Sequence, residues 1–190
     1  MRTGEKTRKT KETDITAKIC LDGGAADIST GIGFFDHMLE AFAVHGGFGL
    51  SVKINGDLNV DGHHTVEDAG IVIGKAFADA LKDKSGISRF GSFLLPMDET
   101  LVSAAVDVSG RPFLVFDAEF KEQRIGSYET CLTSEFFRAF TFNSGITLHM
   151  RVEYGGNSHH ITEALFKAAA HALRIALMPR EGMLSTKGSL

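Results

Sequence analysis

The chain has 190 residues, enough for one ordinary domain or two small ones. Its 20 Lys and Arg against 24 Asp and Glu give a net charge of −4, which argues against nucleic acid or an anionic membrane surface as a partner. Apolar residues make up 43%, too many for a disordered chain, and no apolar run reaches the length of a membrane span. The absence of an apolar signal segment and the presence of only Cys20 and Cys131 predict a cytoplasmic protein without a disulfide framework.

In the first half of the chain, hydrophobic periodicity predicts two strands and two helices. Alternation favours strands over 14–21 and 50–54, and apolar spacing favours a helix over 37–44. An Ala-rich segment with one apolar face predicts a second helix over 65–81.

The second half repeats this order. We predict strands over 102–108 and 146–152, and helices over 134–142 and 161–177. The last helix ends before Pro179, because proline cannot continue it.

Matching segments show that one unit has been duplicated. ETDITAKICLDG and ETLVSAAVDVSG are offset by 87 residues, and HMLEAF and EFFRAF by 98. HHTVE and HHITE are offset by 96, and KAFADALK and KAAAHALR by 92. The rise to 98 predicts about eleven inserted residues near 111–127, and the fall to 92 predicts the loss of one turn from the last helix.

We therefore predict an α+β fold in which each copy forms a small sheet with two helices, and the halves pack together with helices against the sheets. The predicted units are residues 1–95 and 96–178, followed by a C-terminal tail over 179–190, all within one compact domain.

The repeated HHxxE motif predicts metal binding. Residues four apart on a helix share a face, so His63 can act with Glu67, while His64 points about 100° away and can reach a different ion. The repeat also aligns His37 with Glu135. Imidazoles and carboxylates without thiolate fit Mn²⁺, Fe²⁺ or Zn²⁺, and eight ligands suit two octahedral ions with positions left for substrate. The candidate ligands are His37, His63, His64, Glu67, Glu135, His159, His160 and Glu163.

Three other histidines have no such motif around them. His171 aligns with Asp79 in the offset of 92, which predicts a solvent-facing side chain. We expect His45 to cap a helix and His149 to be structural on its strand.

Basic residues set among Gly and Ser predict a phosphate site. Arg89 and Arg111 each follow a Ser-Gly segment, and Lys187 lies in Ser-Thr-Lys-Gly. Lys167 is one turn beyond Glu163 on the same helix face.

These motifs together resemble the imidazoleglycerol-phosphate dehydratase family over nearly the whole chain. The resemblance rests on Ser-Thr-Gly at 29–31, Phe-Asp-His-Met-Leu at 35–39, Asp-Gly-His-His-Thr-Val-Glu-Asp at 61–68 and Ser-Gly-Arg-Pro at 109–112. It continues through Glu-Phe-Phe-Arg-Ala at 135–139, Asn-Ser-His-His-Ile-Thr-Glu-Ala at 157–164 and Ser-Thr-Lys-Gly at 185–188.

The resemblance implies an enzyme of histidine biosynthesis that converts D-erythro-imidazole-glycerol phosphate to imidazole-acetol phosphate and water. It implies two Mn²⁺ ions on the eight ligands named above, with the substrate imidazole bound as imidazolate between them. It also implies a homo-oligomer of 24 chains with active sites shared between subunits. Implied substrate and phosphate contacts are Glu12, Arg89, Arg111, Lys167, Ser185 and Lys187, and implied catalytic carboxylates are Glu12, Glu67 and Glu163.

Some members of that family carry histidine where this chain has Glu135, and a carboxylate is also a Mn²⁺ ligand. Three other interpretations stay open at this point. They are a different two-metal enzyme, such as a phosphate-ester hydrolase or isomerase, a metal-storage shell, and a duplicated scaffold with incidental histidines.

Overall fold

The computed structural model describes residues 1–82, 84–182 and 184. The first half contains strands β1 (Thr3–Lys9), β2 (Thr13–Cys20), β3 (Ala26–Ser29) and β4 (Gly49–Gly56), and helices α1 (Gly33–Gly46) and α2 (His63–Leu81). The second half contains β5 (Phe90–Met97), β6 (Thr100–Asp107), β7 (Phe113–Asp117), β8 (Arg124–Ile125), β9 (Tyr128–Glu129) and β10 (Thr147–Tyr154), with helices α3 (Leu132–Ser144) and α4 (Ser158–Ala176). All eight predicted elements are present.

The two four-stranded sheets have the same topology. The first has the order β1-β2-β4-β3 and the second has the order β5-β6-β10-β7. The last strand of each order runs parallel to its neighbour, and the other pairs are antiparallel. This identity of order confirms the duplicated α+β fold.

The helices join the two sheets through one core. Helix α2 packs on the first sheet and α4 on the second, while α1 packs on α4 and α3 packs on α2. The fully buried ring of Phe136 meets Phe35 edge-on and stacks on Phe166, so three helices share one aromatic cluster. Each half therefore buries its apolar surface against the other half.

The inserted segment overlaps the predicted region, 111–127, but lies after β7 rather than across it. Three residues, 30–32, connect β3 to α1, whereas fourteen residues, 118–131, connect β7 to α3. The difference of eleven residues confirms the prediction, and the β8–β9 hairpin lies within this insertion.

The predicted loss of a helical turn is wrong, because α2 and α4 each have 19 residues. Two close backbone contacts show which residues of α2 and α4 correspond. A Cβ on Gly4 would lie 1.9 Å from the Ala76 carbonyl oxygen, and a Cβ on Gly91 would lie 2.0 Å from that of Ala172. The offset from Ala76 to Ala172 is 96, as it is for the HHxxE motifs. Because both helices are rich in alanine, the match of KAFADALK with KAAAHALR is one helical turn out of register.

The predicted division at residue 95 falls inside β5, all of which pairs with β6 in the second sheet. The connection between the two sheets therefore lies before Phe90. Within the described part of the chain, no helix has the combined length and apolar character needed to cross a membrane.

Candidate active site

One group of predicted ligands lies where the first turn of α1 meets α4. The Glu163 carboxylate oxygen Oε2 lies 3.6 Å from His37 Nε2 and 3.2 Å from His159 Nε2. Ligand atoms of these three residues all lie within 4.8 Å of one another. Among the residues that the structure describes, no other set of three or more His, Cys, Asp or Glu meets this test. We call these three residues, with Lys167, the α1–α4 corner.

Local structure directs the side chains into this corner. The Asp36 carboxylate accepts hydrogen bonds from the hydroxyl and the backbone N–H of Thr30, which fixes the start of α1 beside His37. The Asn157 side chain caps α4 by accepting from the N–H groups of His159 and His160.

Glu163 is held as a carboxylate in a buried position. Its side chain is only 9% exposed, and the Lys167 ammonium lies 2.6 Å from Oε1. Burial alone would raise the pKa of Glu163, but the charge and hydrogen bond of Lys167, together with His37, outweigh it and lower the pKa. Lys167 thus shares a face with the predicted ligands, as its spacing predicts.

The other HHxxE motif forms a more open arrangement where α2 meets α3, which we call the α2–α3 corner. His63 Nε2 lies 3.6 Å from Glu67 Oε2, in the predicted one-turn relation. Arg138 donates to Glu67 at 2.8 Å and to Glu135 at 2.6 Å, so it bridges the two carboxylates. The structure thus brings together His63, Glu67 and Glu135, with Arg138 between the acidic groups.

The second histidine of each motif points away from its corner, as predicted from the helical period. The His63 and His64 rings are perpendicular, and those of His159 and His160 are nearly so. His64 Nδ1 lies 3.0 Å from an oxygen of Asp57, and its Nε2 lies 3.8 Å from Glu12. The hydrogen bond to Asp57 raises the pKa of His64 despite partial desolvation.

His160 has a corresponding carboxylate partner. Its Nδ1 lies 2.8 Å from Oε2 of Glu99, and this hydrogen bond raises the pKa of His160. The same bond, with the backbone N–H of Asn157, lowers the pKa of Glu99 to about 2. His160 Nε2 lies 3.7 Å from Asp98.

The two predicted phosphate-binding arginines lie together at Asp107. Arg89 binds this carboxylate through Nε at 2.7 Å and Nη2 at 3.2 Å, and Arg111 approaches it at 3.5 Å. Because one carboxylate lies between two guanidinium groups, the cluster keeps a net positive charge that can attract an anion such as phosphate. Arg89 also donates to the Leu184 carbonyl at 2.6 Å. Two further predicted contacts, Ser185 and Lys187, lie outside the described residues.

The partners of the outward histidines, Asp57 and Glu99, are functional residues that the sequence motifs did not predict. The offset of 87 residues that pairs Glu12 with Glu99 was the sequence signal that pointed to Glu99.

The prediction that His171 faces solvent is wrong. It is half-buried, its ring stacks on Phe93 at 4.2 Å, and its Nε2 lies 3.1 Å from Nδ1 of His45. At the offset of 96 His171 corresponds to Lys75, which is exposed, so the corrected alignment does not predict these contacts either. His149 lies exposed on β10.

Fold and site together define a duplicated α+β protein with two histidine–carboxylate corners and an arginine pair, a combination that fits a metal-dependent enzyme. The model of the imidazoleglycerol-phosphate dehydratase family matches residues 30–173. The chain belongs to this family, and it is accordingly an enzyme, a hydro-lyase that acts by dehydration in histidine biosynthesis. The storage and scaffold interpretations are thereby excluded.

Individual relatives cover nearly the whole chain. An imidazoleglycerol-phosphate dehydratase of Acetivibrio thermocellus is 58% identical over 190 residues, which cover 98% of this chain and 97% of that protein. The structure of the Staphylococcus aureus enzyme is 41% identical, with a TM-score of 0.86 over 94% of this chain and 99% of that one. The Pyrococcus furiosus enzyme, solved in complex with (S)-C348, is 37% identical, with a TM-score of 0.86 over 97% and 100% of the two chains.

Proposed function

We propose that this enzyme removes water from D-erythro-imidazole-glycerol phosphate and gives imidazole-acetol phosphate, with two Mn²⁺ ions in each active site. The observation that carries the proposal is the α1–α4 corner, where two imidazoles and a buried carboxylate converge within 4.8 Å.

The donor set fits Mn²⁺. Imidazole nitrogen and carboxylate oxygen are suitable ligands for this ion, and none of the proposed ligands is a cysteine. The proposed ligands are His37, His63, His64, Glu67, Glu135, His159, His160 and Glu163. When bound, two Mn²⁺ ions supply positive charge that stabilises the substrate imidazole as imidazolate and the negative charge that develops on it.

The substrate needs this stabilisation because the proton that it loses, at C2, is not next to a carbonyl group. Loss of that proton and of the C3 hydroxyl releases one water molecule and leaves an enol, which then ketonises. Arg89 and Arg111 orient the substrate by binding its phosphate, supported by Lys167, Ser185 and Lys187.

Glu12 is the proposed acid and base for these proton transfers, alongside a ligand carboxylate, Glu67 or Glu163. Its side chain is 52% exposed and lies 3.8 Å from His64, so it is close to a proposed ligand yet accessible to substrate.

The test is Glu12→Gln, which keeps the size of the side chain and removes its proton-transfer ability. We expect Mn²⁺ content and substrate binding to be retained while kcat falls by about 10²–10⁴-fold. Normal turnover in this variant would remove Glu12 from the chemistry. Product analysis separates dehydration from phosphate-ester hydrolysis, because dehydration releases no inorganic phosphate.

The corners also support a shared site in a homo-oligomer, proposed here as 24 chains in the cytoplasm. His64 and His160 point out of the corners of their own chain and are hydrogen-bonded through Nδ1, so Nε2 of each is the atom that would complete a site with a neighbour. Cys20 and Cys131 are both free thiols, in keeping with a reducing compartment. Because ions that bridge subunits favour assembly, chelation should shrink the particle in light scattering. A metal-free sample that keeps its full size at low concentration would contradict this coupling.

A further inference from the structure

The duplicated unit carries a glutamate before its second strand in both copies, but the two glutamates have different surroundings. Glu12 and Glu99 are related by the offset of 87 residues that also relates β2 to β6. Glu12 approaches His64 only at 3.8 Å. Glu99, in contrast, uses both of its carboxylate oxygens in hydrogen bonds.

The hydrogen bonds of Glu99 fix its orientation. Its Oε1 accepts from the backbone N–H of Asn157 at 2.9 Å, from that of Gly156 at 3.3 Å, and from the Thr100 hydroxyl at 3.1 Å. Its Oε2 faces His160 Nδ1 at 2.8 Å. An ionised carboxylate can only accept, so Nδ1 of His160 must carry the proton. In the neutral ring, Nε2 then keeps its lone pair.

In the first copy this role belongs to a different residue. Asp57 holds His64 Nδ1 at 3.0 Å and follows directly after β4. Six residues, 57–62, separate β4 from His63, but only four, 155–158, separate β10 from His159. The shorter loop begins with Gly155, which has no side chain to reach the second histidine. The carboxylate for His160 therefore comes from the β5–β6 turn, where Glu99 lies directly before β6.

We propose that Glu99 is a positioning residue that holds His160 in the tautomer whose Nε2 can bind a metal ion, while Asp57 does the same for His64. Because Asp57 rather than Glu12 holds His64, Glu12 remains available for proton transfer. Glu12 and Glu99 thus have different roles although they descend from one ancestral position. This inference rests on the proposed function, because it takes His160 as a Mn²⁺ ligand.

The test compares Mn²⁺ binding to Glu99→Gln and Glu99→Ala by calorimetric titration of the metal-free protein with Mn²⁺ alone. In Glu99→Gln, the amide oxygen keeps the three donors at Oε1 and turns its NH₂ group toward His160 Nδ1, which then must accept and leaves Nε2 protonated. Alanine removes the partner without imposing this tautomer. We expect Gln to weaken one Mn²⁺ site by about 10–100-fold and Ala to weaken it less. A purely structural role would give the opposite order, because Gln preserves more of the contacts.

Two further variants distinguish the ways in which the inference could fail. Glu122 accepts from the N–H of Ser158 at 3.1 Å and so holds the same turn without touching a histidine; Glu122→Gln should bind Mn²⁺ as the parent does. If His160→Ala loses a Mn²⁺ site but Glu99→Gln does not, the positioning role is wrong. If His160→Ala keeps both sites, the ligand assignment in the proposed function is wrong, and the inference falls with it.

Discussion

The α1–α4 and α2–α3 corners descend from one motif but are packed differently. Helix α2 approaches α3 closely, since a Cβ on Gly74 would lie 2.7 Å from the Phe140 carbonyl oxygen. At the offset of 96, the α4 counterpart of Gly74 is Ala170, and that of Gly70 is the buried Phe166. Side chains thus separate α4 from α1, whereas the α2 and α3 backbones nearly touch.

The cation that neutralises the acidic ligands also comes from a different helix in each corner. Lys167 lies on α4, where the first copy has Ile71, and Arg138 lies on α3, where the first copy has Glu40. In the α1–α4 corner this leaves a compact three-residue donor group, and in the α2–α3 corner two carboxylates share one guanidinium. Duplication therefore conserved the histidines and glutamate of HHxxE, while packing and counter-charge diverged around them.

The largest expected effect comes from removing one imidazole in each corner. We expect His159→Ala and His63→Ala each to lose about one Mn²⁺ per chain and to lower kcat/KM by about 10³-fold or more, because metal stabilisation is worth several kcal/mol and each ~1.4 kcal/mol is tenfold in rate. Metal analysis and steady-state kinetics check this, with the exposed His149→Ala as the control. Full activity in His63→Ala would show that the α2–α3 corner holds no essential ion.

A smaller effect tests the packing difference. Phe166→Ala should destabilise the fold by about 3–5 kcal/mol through the cavity that it leaves. Gly74→Ala should also destabilise it, by about 1–3 kcal/mol, because the added methyl group would force α2 away from α3. The control is Gly33→Ala in α1, where an added Cβ meets nothing within 4 Å and the change should stay within about 0.5 kcal/mol. Urea unfolding measures all three, and a neutral Gly74→Ala would mean that the two helix pairs pack alike.

The smallest effect is a pH dependence of folding stability that comes from His45 and His171, about two helical turns along α1 and α4 from the proposed ligands. Burial lowers the pKa of both His45 and His171. The positive charge of Lys167 lowers the pKa of His45 further and that of Arg174 lowers the pKa of His171, while the negative charge of Glu163 only partly offsets the shift at His45. The unfolded rings titrate near 6.5, so below that pH the unfolded chain binds more protons than the folded one. Stability contributed by the neutral pair is therefore complete above about pH 6.5 and is lost as the pH falls below it.

Thermal unfolding at pH 7.5 and 5.5 checks this sign. A double variant, His45→Gln with His171→Gln, keeps a polar pair that does not titrate and should show a smaller fall in Tm than the parent. Replacing the exposed His149 by glutamine should leave the fall unchanged. An equal fall in the double variant would show that other groups cause it.

The sequence predicted the central strands of both sheets and missed their edges. The central strands β2, β4, β6 and β10 were all predicted, and the edge strands β1, β3, β5 and β7 were not. An edge strand has one paired neighbour and less of its surface buried, so its alternation is weaker. In β1, for example, only Gly4 is fully buried.

The sequence by itself determined the duplication, the α+β class, the eleven-residue insertion and the two faces of each HHxxE motif. These follow from local periodicity and spacing, because the helical period alone sends His63 and His64 in different directions. Only the tertiary structure decided the partners of those side chains: the pairing of α1 with α4, the Arg138 bridge, the arginine pair at Asp107 and the hold of Glu99 on His160. Such contacts join segments that are distant along the chain, and they depend on how helices and sheets pack, which spacing in the sequence does not encode.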